Sequence, residues 1–111
     1  MCGNTNPLIA QMKQLPVHVF ELDSPTNLAA ARGILGPERV ILGNVATVED
    51  MLEGTPERVY EACRSCHEIS GPFHIVGTGC EVPPATPAEN LRAMVRYATE
   101  HQLYQFERRA A

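Results

Sequence analysis

The chain lacks the features that would direct it to nucleic acid, a membrane or export. Basic residues are not in excess, since nine Lys and Arg stand against thirteen Asp and Glu, for a formal charge of −4. A nucleic-acid partner usually requires a basic patch, which the interleaved charges disfavour. No apolar run approaches the roughly 18 residues of a membrane span, and the amino terminus has no signal-peptide pattern. We therefore expect a cytoplasmic protein without a nucleic-acid or membrane partner.

Cysteine is sparse and widely spaced. The four cysteines stand at positions 2, 63, 66 and 80 of 111, unlike a dense disulfide framework. In a reducing compartment we expect them to be free thiols or metal ligands. Linkers and low-complexity segments are also missing, so residues 1–111 are expected to form one small domain, with a polar tail at 105–111 that frays.

Strand signals alternate with helix signals along the chain. Apolar runs predict strands at residues 17–22, 40–42 and 73–76. A cap-type residue followed by proline predicts four helix starts, at Asn6-Pro7, Ser24-Pro25, Thr55-Pro56 and Thr86-Pro87. This alternation predicts an α/β fold with parallel strands joined by right-handed crossovers.

The last predicted helix has the most complete start signal. Thr86-Pro87-Ala88-Glu89 reads as a capping box with proline at the first helical position. The apolar spacing that follows predicts a buried face made of Leu91, Met94, Val95 and Ala98.

Polar residues follow each predicted strand. Asp23, Asn44 and Cys80 come after the first, second and third strands. In parallel α/β folds the functional loops lie beyond the carboxyl ends of the strands, so these residues should share one rim. Cys2 precedes a helix and belongs to the same rim if a strand comes before it.

Cys2 and Cys80 are the residues best suited to chemistry. Thiolates are good zinc ligands, and catalytic zinc usually has three protein ligands and one open position. The alternative is two free thiols in loops. Asp23 can orient a ligand, accept a proton or simply cap a loop. Gly77 and Gly79 can offer backbone amides to a phosphate or carboxylate, or serve loop geometry alone.

The segment Cys63-Arg64-Ser65-Cys66-His67 matches the C-x-x-C-H signature of covalent haem attachment. We reject that reading because the segment falls inside a helix pattern whose apolar stripe includes both cysteines. Small buried cysteines suit such a stripe.

Several segments resemble one protein family. Residues 2–5 resemble the end of the motif H-x-C-G-N-T, and residues 79–90 resemble G-C-x-x-P-P-x-T-P-x-E-N. Residues 42–45 and 21–23 resemble two strand ends of the same family. The family is that of uroporphyrinogen decarboxylases and their zinc-dependent, cobamide-linked methyltransferase branch, and the resemblance covers residues 2 to about 100.

The resemblance implies the C-terminal part of a TIM (β/α)8 barrel that is roughly three times as long. It implies zinc bound by Cys2, Cys80 and a histidine that would stand one position before Met1, as if an internal methionine had become the start. The implied reaction moves a methyl group from a corrinoid (cobamide) on a partner protein to a thiol such as coenzyme M. Asp23 and Asn44 would orient groups around the metal or substrate.

Two alternatives remain open. One is a uroporphyrinogen decarboxylase-like lyase, which needs no metal, although that branch usually has histidine where Cys80 stands. The other is a non-catalytic half-barrel that associates with another subunit. Because about three strands cannot close a barrel of eight, we expect self-association or a companion N-terminal half, and an isolated chain that is inactive.

Overall fold

The structure, a computed structural model, describes residues 1–103, so the predicted frayed tail at 105–111 lies outside the described residues. Its helices and strands are α1 Ile9–Met12, β1 Val19–Glu21, α2 Leu28–Leu35, β2 Val40–Leu42, α3 Pro56–Ser70, β3 His74–Ile75 and α4 Ala88–Ala98. A 3-10 turn, Asn6–Leu8, precedes α1, and π-helical segments occupy Thr47–Leu52 and Thr99–Leu103. Within these described residues no helix is both long and apolar enough to cross a bilayer.

The three strands form one open, parallel sheet in the order β1-β2-β3. The predicted α/β fold with parallel pairing is therefore confirmed. The chain crosses from β1 to β2 through α2 and from β2 to β3 through α3. Val45 and Thr78 extend the pairing beyond β2 and β3 as an isolated parallel bridge. All three strands consequently end at the same rim of the sheet.

The two faces of the sheet differ in burial. Phe20, Ile41 and His74 pair in one cross-strand row and are buried beneath the helices. The next row, on the opposite face, includes Ile75, which is 41% exposed. Because side chains alternate between the faces of a strand, one face forms the core and the other is open.

We call the second face of the sheet the open face. Its residues, together with one that precedes β1, are Val17, Val19, Glu21, Val40, Leu42 and Ile75. Most of these residues are apolar, and within residues 1–103 the core shared with the helices lies on the other side of the sheet. The described residues measure 39 × 38 × 19 Å, as expected for a single helix layer on a single sheet.

The helix starts follow the predictions in part. Thr55 caps α3, since its side chain accepts a hydrogen bond from the Arg58 amide. The start predicted at Ser24-Pro25 is wrong, because α2 begins at Leu28 and the Asn27 side chain caps it. Residues 23–26 instead form a turn in which the Thr26 amide donates to the Asp23 carbonyl.

The predicted capping box of α4 is also wrong. The helix begins at Ala88, and its cap position, Pro87, has no side-chain hydrogen bond to a helix amide. The Asn90 amide instead donates to the carbonyl of Pro87 at 3.0 Å. Thr86 therefore does not act as the cap.

The buried face of α4 differs from the predicted apolar stripe. Asn90, Ala93 and Tyr97 are buried, whereas Leu91 and Val95 are 41% and 64% exposed. Met94 is only partly buried. The Asn90 side chain is buried because it donates to the carbonyls of two residues that precede α3, which holds that face of α4 inward.

Candidate metal site

Cys2 and Cys80 meet at the rim where the strands end. They are 78 positions apart in sequence, yet their Cα atoms are 5.7 Å apart and their sulfurs form a disulfide. The expectation that all four cysteines are free thiols or ligands is therefore wrong for this pair. The parallel topology explains their proximity, because it brings the loop after β3 beside the segment that precedes α1.

Asp23 holds the Cys2 segment at this rim. Its buried carboxylate accepts hydrogen bonds from the amide of Gly3 at 2.6 Å and from the amide of Ser24 at 2.7 Å. The Gly3 bond fixes the backbone directly after Cys2. Asp23 thus lies against the Cys2 segment.

Two reciprocal side-chain pairs reinforce this attachment. The Thr5 amide donates to the Thr26 hydroxyl at 2.9 Å, and the two hydroxyls are 3.0 Å apart. Asn6 and Asn27 exchange hydrogen bonds, with the Asn27 amide donating to the Asn6 side chain at 2.7 Å. Residues 3–6 are therefore fastened to residues 23–27. Sequence reasoning missed this, since nothing local signals a contact over 21 positions.

Asn44 faces inward from the rim and joins the loops. Its side-chain amide donates to the carbonyls of Asp23 and Thr26, each at 3.0 Å. Its side-chain oxygen accepts a weak hydrogen bond from the Cys66 thiol at 3.6 Å. These contacts keep the turn after β1 in place. Direct contact between Asn44 and substrate stays a prediction.

Gly79 is required for close approach of the loops. A Cβ there would lie 2.4 Å from a carboxylate oxygen of Asp23 and 2.5 Å from the Ser24 nitrogen. The Gly79 amide donates to the Val45 carbonyl, and the Gly77 carbonyl accepts from the Val45 amide. The Gly79 amide is thus already used within the protein. Ligand binding by Gly77 and Gly79 stays a prediction, and the structure gives Gly79 a packing role.

The C-x-x-C-H segment lies within α3, as expected from its helical spacing. Cys63 and Cys66 are buried free thiols. Burial raises the pKa of Cys63 to about 12 and also raises the pKa of Cys66. His67 instead contacts α4, where its Nδ1 is 2.7 Å from the Tyr97 hydroxyl. Both thiols therefore stay protonated and uncharged near neutral pH.

The donor atoms at the rim fit a zinc ion. One oxygen of Asp23 and the sulfurs of Cys2 and Cys80 lie within 4.8 Å of one another. Sulfur and carboxylate oxygen are both common zinc donors, and three protein ligands leave the fourth position open. Cys2 is exposed and Cys80 half-buried, so that position can face solvent. The reduced pair and Asp23 therefore offer a set of three zinc donors.

Known proteins are similar to this chain in sequence. The family model described as Uroporphyrinogen decarboxylase (URO-D) matches residues 1–101. The methylated-thiol–coenzyme M methyltransferase of Methanosarcina mazei is 36% identical over 107 residues, which are 96% of this chain and 28% of that protein. The uroporphyrinogen decarboxylase of Delftia acidovorans is 32% identical over 108 residues, covering 84% of this chain and 29% of that protein.

The fold has a solved counterpart. A methyltransferase from Methanosarcina mazei superposes with a TM-score of 0.79 at 23% sequence identity, over 89% of this chain and 29% of that structure. The chain thus spans less than a third of the relatives it matches. Its three-stranded sheet and helices correspond to part of a larger α/β protein.

Proposed function

Since this chain belongs to the uroporphyrinogen decarboxylase family, we propose that it carries the zinc ligands of a methyltransferase that moves a methyl group from a corrinoid protein to a small thiol. The observation that carries the proposal is the convergence of Cys2, Asp23 and Cys80 at the carboxyl-end rim of the sheet. Relatives named methylcobamide:CoM methyltransferases support the reaction class. Coenzyme M is accordingly the first thiol to test.

Zinc, when bound, would keep the substrate thiol as the thiolate, the form that attacks a methyl group. Cys2 and Cys80 would hold the metal at the exposed rim, where a thiol can reach the open position. Asp23 would either complete the ligand set or fix the Cys2 segment through the Gly3 amide. Asn44 would keep the Asp23 turn in place through its two carbonyl contacts. The methyl donor, a corrinoid on a partner protein, would approach this same rim.

The chain would act as part of a (β/α)8 barrel rather than alone. Its open face is apolar at Val19 and Ile75, which are 45% and 41% exposed. An apolar face of this kind, bounded within residues 1–103 by a free sheet edge on each side, supports a place in the packed interior of a barrel. The remaining strands would then come from sequence outside residues 1–111, such as an N-terminal half, or from a second copy of this chain.

Zinc binding by the reduced chain tests the proposal. We expect one zinc per chain by metal analysis, lost in Cys2→Ser and in Cys80→Ser. The matched control is Cys63→Ala, which also removes one thiol but lies inside α3, and it should retain the metal. Circular dichroism establishes that each variant is folded. A chain that binds no zinc, or two rim variants that both retain it, would overturn the assignment.

A decarboxylase-like lyase is the second candidate. The 32% identity to the Delftia acidovorans uroporphyrinogen decarboxylase favours it. Such an enzyme needs no metal, so the same zinc measurement separates the two. Decarboxylation of a tetrapyrrole carboxylate by the chain with its partner, unchanged by Cys80→Ser and by chelators, would support the lyase.

A further inference from the structure

The spacing of the two rim cysteines suits both a disulfide and a shared zinc ion. Their Cα separation of 5.7 Å lies within the range of roughly 4.4–6.8 Å that disulfides require. Tetrahedral zinc with Zn–S bonds of about 2.3 Å would place the sulfurs about 3.8 Å apart. Rotation of the two side chains accounts for a difference of this size. The backbone after Cys2 is held by Asp23 at Gly3 and by Thr26 at Thr5.

The disulfide and a bound metal exclude each other, because both use the thiolate electrons of Cys2 and Cys80. A thiolate is the form of cysteine that binds metal, and a disulfide sulfur has lost that charge. In the structure the sulfurs of Cys2 and Cys80 are bonded to each other. In that state the described residues leave one member of this donor group able to bind zinc strongly, the Asp23 carboxylate.

We propose that Cys2 and Cys80 form a reversible redox modification site, in which oxidation by a peroxide joins them and expels the metal. The inference rests on the zinc site proposed above. One thiolate attacks hydrogen peroxide, the O–O bond breaks, and the cysteine becomes a sulfenic acid as hydroxide leaves. The second thiol then attacks that sulfur, forms the S–S bond and releases water. Two electrons pass from the two sulfurs to the peroxide, and a dithiol reductant reverses the change.

The structure also makes this oxidation selective. Cys2 is exposed and Cys80 half-buried, whereas Cys63 and Cys66 are buried in α3. Thiol oxidation follows exposure and thiolate character. Burial raises the pKa of both α3 thiols, so these residues serve as internal controls within the same chain.

The experiment starts from the fully reduced chain loaded with zinc and freed of excess metal. Hydrogen peroxide is added in steps in the presence of a chromogenic zinc indicator, and samples are alkylated, digested and mapped by mass spectrometry. We expect a Cys2–Cys80 cross-link to accumulate in proportion to the zinc released, while Cys63 and Cys66 become alkylated only after denaturation. Dithiothreitol should restore both thiols and the zinc capacity. Cys80→Ser should form no intramolecular cross-link.

The outcomes separate this inference from the proposed function. Reduced chain that binds zinc but gives cysteine sulfinic acid, or cross-links to Cys63 or Cys66, refutes the redox site and leaves the zinc site intact. Retention of zinc after complete Cys2–Cys80 cross-linking also refutes it. Reduced chain that never binds zinc refutes the proposed function and the metal-release step together, even where the cross-link forms.

Discussion

Replacing Gly79 by alanine tests the packing that brings the candidate ligands together. The added Cβ would meet three atoms on the turn after β1: the Asp23 carboxylate oxygen at 2.4 Å, the Ser24 nitrogen at 2.5 Å and the Asp23 Cα at 2.7 Å. Two of these belong to the backbone and cannot rotate away. The third is held by hydrogen bonds from the Gly3 and Ser24 amides. The loop that carries Cys80 must therefore move away from Asp23.

We expect this displacement to cost about 1–3 kcal/mol of unfolding free energy, as overpacking of a well-packed interior typically does. The zinc affinity should fall as well, by about tenfold for each 1.4 kcal/mol of lost ligand alignment. Urea unfolding followed by circular dichroism measures the first effect, and competition with a chelating indicator measures the second.

Gly33→Ala is the matched control. Gly33 is exposed in α2, and a Cβ there meets no atom within 4 Å. Alanine in a helix is favoured over glycine by about 0.5–1 kcal/mol, so this variant should be slightly more stable and bind zinc normally. Wild-type stability and zinc affinity in Gly79→Ala would refute the close packing of the two loops.

Three further predictions test other parts of the structure by urea unfolding. Asn90→Ala should lower the unfolding free energy by about 1–3 kcal/mol, because the buried Met51 carbonyl and the part-buried Gly54 carbonyl lose their donor; an unchanged midpoint would contradict this. Burial lowers the pKa of His67 from 6.5, so its contribution is present above about pH 6.5 and is lost as the pH falls through the folded-state pKa. His67→Gln should weaken the loss of stability on acidification; a pH profile equal to that of the unsubstituted chain would show that His67 contributes nothing. Val95→Lys should change the unfolding free energy by less than about 0.5 kcal/mol, whereas Ala93→Lys should lower it by about 3 kcal/mol or more. A larger loss in Val95→Lys than in Ala93→Lys would support the buried apolar stripe that the sequence predicts for α4.

The parallel sheet and its rim could be predicted from the sequence because both depend on short-range signals. Apolar runs such as 40–42 end in polar residues, and parallel pairing then places every strand end on one side. Asp23, Asn44 and Cys80 follow from that rule alone. Cys2 joins them because the segment before α1 attaches to the turn after β1.

The helix boundaries show where local signals fail. Ser24-Pro25 and Thr86-Pro87 resemble helix starts, yet each of these segments bonds elsewhere. Asn27 caps α2, and the Pro87 carbonyl accepts the amide of Asn90. Serine, threonine and proline suit turns as well as caps, so the tertiary partners decide between the two.

The α4 face was mispredicted because apolar spacing does not reveal a buried polar contact. Asn90 is buried by its bonds to backbone carbonyls 36 and 39 positions earlier, and Tyr97 is buried by its contact with His67. Leu91 and Val95 are consequently turned toward solvent. The disulfide was not predicted for a different reason: a reducing compartment was expected, in which the two rim cysteines would stay free thiols or metal ligands.

X-ray absorption at the zinc edge of the reduced, zinc-loaded chain tests the central claim most directly. We predict two sulfur neighbours at about 2.3 Å together with lighter donors, and one sulfur fewer in Cys2→Ser and in Cys80→Ser. A spectrum with oxygen and nitrogen neighbours alone, or one unchanged by either substitution, would contradict the assignment of this pair as the zinc ligands.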